Sequence, residues 1–119
     1  MMDFSWNEFY RLAEYLHSEH SFSCQEAIQR TIVSRAYYAS FCMAREVLKH
    51  KYKITTPQNA ASHEYIRIEY GKQGRNDIKN ALDELRQYRN CCDYDNSVKD
   101  LHLLVNLSLR ISEEILVNL

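Results

Sequence analysis

Apolar residues recur along most of this chain at intervals of three and four, the period of a helix with one buried face. Phe9, Leu12, Ala13 and Leu16 form the first such stripe, and Ser5 followed by Glu8 has the spacing of a capping box. They predict a helix from Asp3 or Ser5 to about Glu19. His20-Ser21-Phe22 reads as a short connection, and Ser23 with Glu26 repeats the capping pattern. The second stripe, Ile28, Ile32, Ala36, Ala39, Met43 and Val47, runs to about Lys51 and marks the longest helix, the expected central pillar. Thr56-Pro57 or Ser62 opens a third helix ending near Tyr70, which Gly71 to Gly74 then breaks. Asn76 or Asp77 caps a fourth, with Ile78, Ala81, Leu82, Leu85, Tyr88 and Cys92 on its buried face and an end near Tyr94. Asp95-Asn96-Ser97 supplies a further cap, before Val98, Leu101, Leu104, Val105, Ser108, Ile111, Ile115 and Leu119.

Five such segments with short links predict an all-α protein, an antiparallel bundle of four to five helices in a single domain over residues 1–119. Two glycines and one proline agree with long helices and few turns. The last helix is apolar on more than one side, with Leu103, Leu107, Leu109 and Leu116 outside the main stripe. That breadth suits burial against several neighbours, one of which a second subunit can supply.

The chain is 45% hydrophobic and 26% charged, as a folded soluble domain is. A formal net charge of −1 gives no overall field towards nucleic acid or an anionic membrane, so such binding requires a local patch. Cys24, Cys42, Cys91 and Cys92 lack regular spacing, which favours free thiols in a reducing, cytoplasmic setting. No apolar run approaches the ~18 residues that a membrane span needs, and no basic segment precedes an apolar one at the start.

Two stretches carry candidate chemistry. Ser34-Arg35-Ala36-Tyr37-Tyr38-Ala39-Ser40-Phe41 places small residues, which permit close helix approach, among aromatics that fill a core. In Leu85-Arg86-Gln87-Tyr88-Arg89-Asn90-Cys91-Cys92-Asp93-Tyr94, the spacing i, i+3, i+7 sets Arg86, Arg89 and Asp93 on one helix face. A surface salt-bridge ladder accounts for that pattern. Lys49-His50-Lys51-Tyr52-Lys53 suits either a helix dipole or a nucleic-acid contact. Cysteine and histidine spacings do not match a zinc site, and P-loop, GxGxxG, GxSxG and HExxH motifs are absent.

Taken together, the SRAYYASF stretch and the later Arg89 to Tyr94 segment, with His63 in the intervening Ser-His-Glu-Tyr-Ile, resemble the HEPN superfamily in its small one-domain prokaryotic form. The likeness runs from the first helix through the last. It implies a helical bundle that dimerises through the motif-bearing helices, and many such proteins are metal-independent endoribonucleases, acting as toxins beside a nucleotidyltransferase antitoxin or in antiviral defence. Their motif is Arg, then four to six residues, then His. Here the corresponding positions hold Tyr94, Asp95 and Asn96.

The departure matters because metal-free RNA cleavage needs a base, a stabiliser of phosphorane charge and an acid. Arg89, with Arg86, suits the second role. Asp93 and Tyr94 have ordinary pKa values near ~4 and ~10, far from the ~7 that suits proton shuttling. His63 or His102 supplies an imidazole only if folding brings it in. The resemblance therefore implies a homodimeric protein of RNA-directed toxin or defence biology, with Arg89, Asp93 and Tyr94 as reacting groups. Arg86, Asn90, Arg35, Tyr38 and His63 are the binding groups, with no cofactor, no metal and no membrane. A non-catalytic module that binds a partner protein, nucleotide or RNA through the same cleft, and a scaffold with a structural Arg89–Asp93 pair, are the competing readings.

Overall fold

The computed structural model describes residues 3–19, 21 and 23–119. Five helices account for about three quarters of them: α1 (Asn7–Ser18), α2 (Gln25–Lys51), α3 (Ser62–Lys72), α4 (Asn76–Tyr94) and α5 (Leu101–Asn118). The described residues contain no strand, and the fold is the all-helical bundle that the periodicity predicts. His20 and Phe22 of the expected first connection lie outside the described residues.

α3 starts at Ser62, one of its two expected openings, and α4 at Asn76, but the expected capping side chains are not used, and α1, α2 and α5 start later than expected. Trp6 precedes α1 with no side-chain cap, and the Ser5 carbonyl accepts from Glu8 N–H at 3.0 Å. α2 starts behind Cys24, α3 behind Ala61 and α4 behind Arg75, each without a capping side chain. Thr56 opens no helix; it is buried in the link that follows α2. α5 begins later than Asp95-Asn96-Ser97 implies, behind Asp100 in the left-handed region at φ 55°. The end of α3 follows its glycine signal. Gly74 sits at φ 75°, Arg75 N–H donates to Tyr70 O at 2.9 Å and Gly74 N–H to Gly71 O at 3.1 Å, which is the Schellman arrangement.

α2 touches all four other helices, as a central pillar must. Its first half packs Ile32 and Val33 with Ala13, Cys92, Leu101 and Val105. The second half packs Tyr37, Phe41, Ala44 and Leu48 with Ile66, Tyr70, Leu82, Leu85, Ile111 and Ile115. These pairings run α4 antiparallel to α2 and α5 parallel to it. α3 also runs with α2, His63 meeting Tyr37 and Tyr70 meeting the Ala44 carbonyl. Residues 52–61 therefore return along the length of the bundle before α3 begins, and this return carries His63 back to the middle of α2.

The small residues of α2 do what their size allows. Ala36, Ala39, Ser40 and Ala44 are fully buried, and Ser40 Oγ lies 2.7 Å from Ser112 Oγ of α5. Ser112 donates to the Ala36 carbonyl at 3.0 Å; its one hydroxyl proton is thereby used, so Ser40 is the donor of the pair. Ser108 is equally buried in this seam, and its hydroxyl has no partner. The breadth of α5 is met largely within the chain. Leu104 and Leu109 pack on the first cluster and Leu107 on the second, while Leu103 stays 48% exposed.

Candidate functional site

Arg89 sits on the second-last turn of α4, where α4 crosses the Tyr37-Tyr38 step of α2. One guanidinium nitrogen donates to the Tyr38 hydroxyl at 2.6 Å and the other to Asn90 Oδ1 at 2.8 Å. Its Nε is 3.0 Å from Asp93 Oδ2, yet the N–H is not aimed at that oxygen and stays without a hydrogen bond. The contact is an ion pair, not a hydrogen-bonded one. The guanidinium also lies 5.1 Å from the Tyr38 ring centre and 5.7 Å from those of Tyr37 and Tyr94. With 14% of its side chain exposed, Arg89 is a fixed charge rather than a mobile surface cation.

His63 reaches the same place from the first turn of α3. Its ring stacks on Phe41 at 4.2 Å and 12°, and Nδ1 shares a short hydrogen bond with the Tyr37 hydroxyl. Burial, helped by the guanidinium charges of Arg89, Arg86 and Arg67, holds His63 below its ordinary pKa, so it is neutral at pH 7. Burial outweighs Arg89 and Arg67 at Tyr37 and raises that phenol, which keeps its proton. Tyr37 has no second hydrogen-bond partner among the described residues. Donation from Tyr37 to Nδ1 uses that proton and leaves Nε2–H on the free side of the ring.

A cleft of about 350 Å³ opens beside these groups, lined by Ala60, Ala61, His63, Glu64 and Arg67 on one wall and Arg86, Arg89, Asn90 and Tyr94 on the other. Arg67 is partly neutralised by Asp83, Nε to Oδ1 at 3.6 Å. Arg86 is half-buried and makes neither a hydrogen bond nor an ion pair with any of the described residues. Glu64 is the one carboxylate of the lining. Three guanidiniums against one carboxylate make a local cationic patch on a chain whose net charge is −1, with donors suited to a phosphate.

The expected residues thus divide. Arg86, Arg89, Asn90, Tyr94 and His63 meet in the cleft. Asp93 and Arg35 line a separate groove with Arg30, Thr31, Ser34 and Cys92. Tyr38 stands between the two, since the Arg35 guanidinium lies 5.2 Å from its ring and Arg89 binds its hydroxyl. His102 is exposed on α5 and lines neither groove. The sequence reading missed Arg67 and Tyr37 as site residues. Arg67 was within reach, because it follows His63 by one helical turn. Lys49 lines two pockets elsewhere, near Trp6 and near Thr55, so the basic run does not extend the cleft.

Among the described residues, no group of three or more His, Cys, Asp or Glu side chains is placed to hold a metal ion, and no helix is long and apolar enough to cross a membrane. The four cysteines are free. No family model matches the chain, and no solved structure does. It is 35% identical over 105 residues to "Uncharacterized protein MJ0628" of Methanocaldococcus jannaschii. That alignment covers 74% of this chain and 61% of the relative, so the chain spans under two thirds of the protein it matches.

Proposed function

We propose that this chain is an HEPN-type protein of RNA-directed toxin or defence biology, cytoplasmic, and that its cleft grips a phosphate of an RNA strand. The observation that carries the reading is Arg86, a half-buried guanidinium without a hydrogen-bond or ion-pair partner among the described residues that lines one cleft with Arg89 and His63. A cation held in that way is ready for an anion, and its bidentate fork matches a phosphodiester.

Metal-independent cleavage is the stronger form of the proposal, and His63 is its candidate base. For that role Tyr37 must accept from Nδ1–H, so that Nε2 takes the 2′-hydroxyl proton. O2′ then attacks phosphorus, the P–O5′ bond breaks with the departing O5′ taking a proton from solvent water, and Arg89 and Arg86 bear the phosphorane charge. The non-catalytic reading draws on two observations: Tyr37 satisfies itself best by donating to His63, and Asp93 lines the other groove. In that reading every cleft group facing the phosphate is a donor, and the protein holds RNA, a nucleotide or a partner without cutting. A homodimer pairing the motif helices, and a nucleotidyltransferase-type antitoxin or defence partner, belong to the same proposal.

The test is incubation of the purified protein with total RNA in EDTA, beside Arg86→Ala and His63→Gln. Cleavage lost in both variants supports the nuclease. RNA bound but uncut, with binding weakened by Arg86→Ala alone, supports the binder. RNA neither bound nor cut sinks the proposal.

A further inference from the structure

Tyr94 is the feature of the cleft that phosphate binding leaves unexplained. It closes α4, the residue is 73% exposed, and its hydroxyl has no partner among the described residues. A single exposed aromatic is ordinary on a protein surface; what distinguishes this one is its place in the lining of the cationic cleft. One contact holds it: the Arg89 guanidinium, 5.7 Å from the ring centre. The opposite wall is low, because Ala60 and Ala61 present only methyl groups ahead of α3. The Asn90 side-chain carbonyl is occupied by Arg89, and its amide NH₂ has no hydrogen-bond partner among the described residues.

We infer that Tyr94 is a nucleobase platform: the base next to the gripped phosphate stacks on its ring, in the slot facing Ala60 and Ala61. The inference rests on the phosphate-binding reading above and adds the class of strand that the cleft accepts. A planar ring stacks on any base, so selection is for an unpaired nucleotide rather than for a sequence. Duplex RNA is refused because its bases are already stacked inside the helix and expose only edges in the grooves. Asn90 contributes a hydrogen bond to an edge of the stacked base and not the main energy of holding it.

The experiment compares a fluorescein-labelled single-stranded RNA oligomer, the same oligomer annealed to its complement, and inorganic tripolyphosphate as the base-free ligand. Binding is read by anisotropy for the RNAs and by calorimetry for tripolyphosphate, in the wild type, Tyr94→Ala, Tyr94→Phe and Arg86→Ala. Tyr94→Ala is expected to weaken the single strand roughly tenfold and to leave tripolyphosphate unchanged. Tyr94→Phe keeps wild-type affinity, Arg86→Ala weakens both ligands, and the duplex binds less well than the single strand. Wild-type affinity for the single strand in Tyr94→Ala, or equal affinity for duplex and single strand, overturns the platform while leaving the phosphate site intact. Failure of the wild type to bind any RNA overturns the phosphate-binding reading, and the platform with it.

Discussion

The Arg89 guanidinium and the Tyr38 hydroxyl meet at 2.6 Å, joining α4 to α2 through one charged hydrogen bond. The bond fixes the cation at the cleft and gives Arg89 a structural role beside any functional one. Arg86, three residues earlier, has no such tie.

The two arginines should therefore separate on mutation. Arg86→Ala is expected to leave stability within about 0.5 kcal/mol of the wild type while weakening RNA binding. Its plot of log affinity against log salt should become shallower by about 0.7 for one lost phosphate contact. Arg89→Ala, by contrast, removes the bonds to Tyr38 and Asn90 and leaves Asp93 unpaired, at a cost of about 1–3 kcal/mol. Urea denaturation of both variants decides the matter; equal stability would contradict the geometry.

His63 makes stability depend on pH. Its folded pKa is depressed, first by burial and then by Arg89, Arg86 and Arg67, so between that value and about 6.5 the unfolded chain binds more protons. Stability is thus present above about pH 6.5 and falls as the solution is acidified below it. Urea midpoints measured downward from pH 7.5 should drop in the wild type and lose this part of their slope in His63→Gln.

Ser108 buries a hydroxyl with no partner in the seam between α2 and α5. Replacing it with alanine removes a desolvated donor and raises helix propensity, so Ser108→Ala should gain roughly 0.5–1 kcal/mol. A destabilised Ser108→Ala in thermal denaturation would show that the hydroxyl finds a bond in solution.

Arg30 spans from α2 to the last turn of α4 and the link beyond it, donating to Cys92 O at 3.0 Å, Asp95 O at 2.6 Å and Asn96 O at 3.3 Å. The Cys92 carbonyl is among the last four of α4, which lack a partner inside the helix. Arg30→Ala should cost about 1–3 kcal/mol and speed amide exchange in the last turn of α4, where Tyr94 stands. Unchanged exchange there would mean that water caps the helix equally well.

Pairing of motif helices across a two-fold axis would give a dimer burying on the order of 1,200 Å² in total. Light scattering at tens of micromolar should then report twice the mass of one chain. A monomer across that range removes the dimer from the proposal.

The helices were legible because each keeps an apolar stripe at the helical period over several turns, and the stripe of α2 marked it as central. Ser62 and Asn76 open α3 and α4 as the sequence offered, but the capping was not legible, because Cys24, Ala61 and Arg75 stand at the N-caps and make no side-chain cap bond. The spacing of Arg86 and Arg89 placed both on one cleft wall. It could not place Asp93, since a short side chain at a helix end can lean either way, and here it leans to Arg89 and the groove of Arg30 and Arg35. Nothing local links residue 63 to residue 89. Their meeting depends on the return of residues 52–61, which is a property of the whole chain path.

The hydroxyl pair between α2 and α5 also acts as a key. An apolar seam between two helices tolerates slippage by a turn, because one methyl is much like the next. Ser40 and Ser112 are less tolerant, since they satisfy each other and the Ala36 carbonyl in the observed setting. Sliding α5 by one turn in the direction that brings Leu116 opposite Ser40 would strand two hydroxyls against hydrocarbon, each at about 1–3 kcal/mol, whereas a slide the other way brings Ser108 into the place of Ser112. The buried polar groups thus set the register of the seam while the surrounding side chains supply its strength.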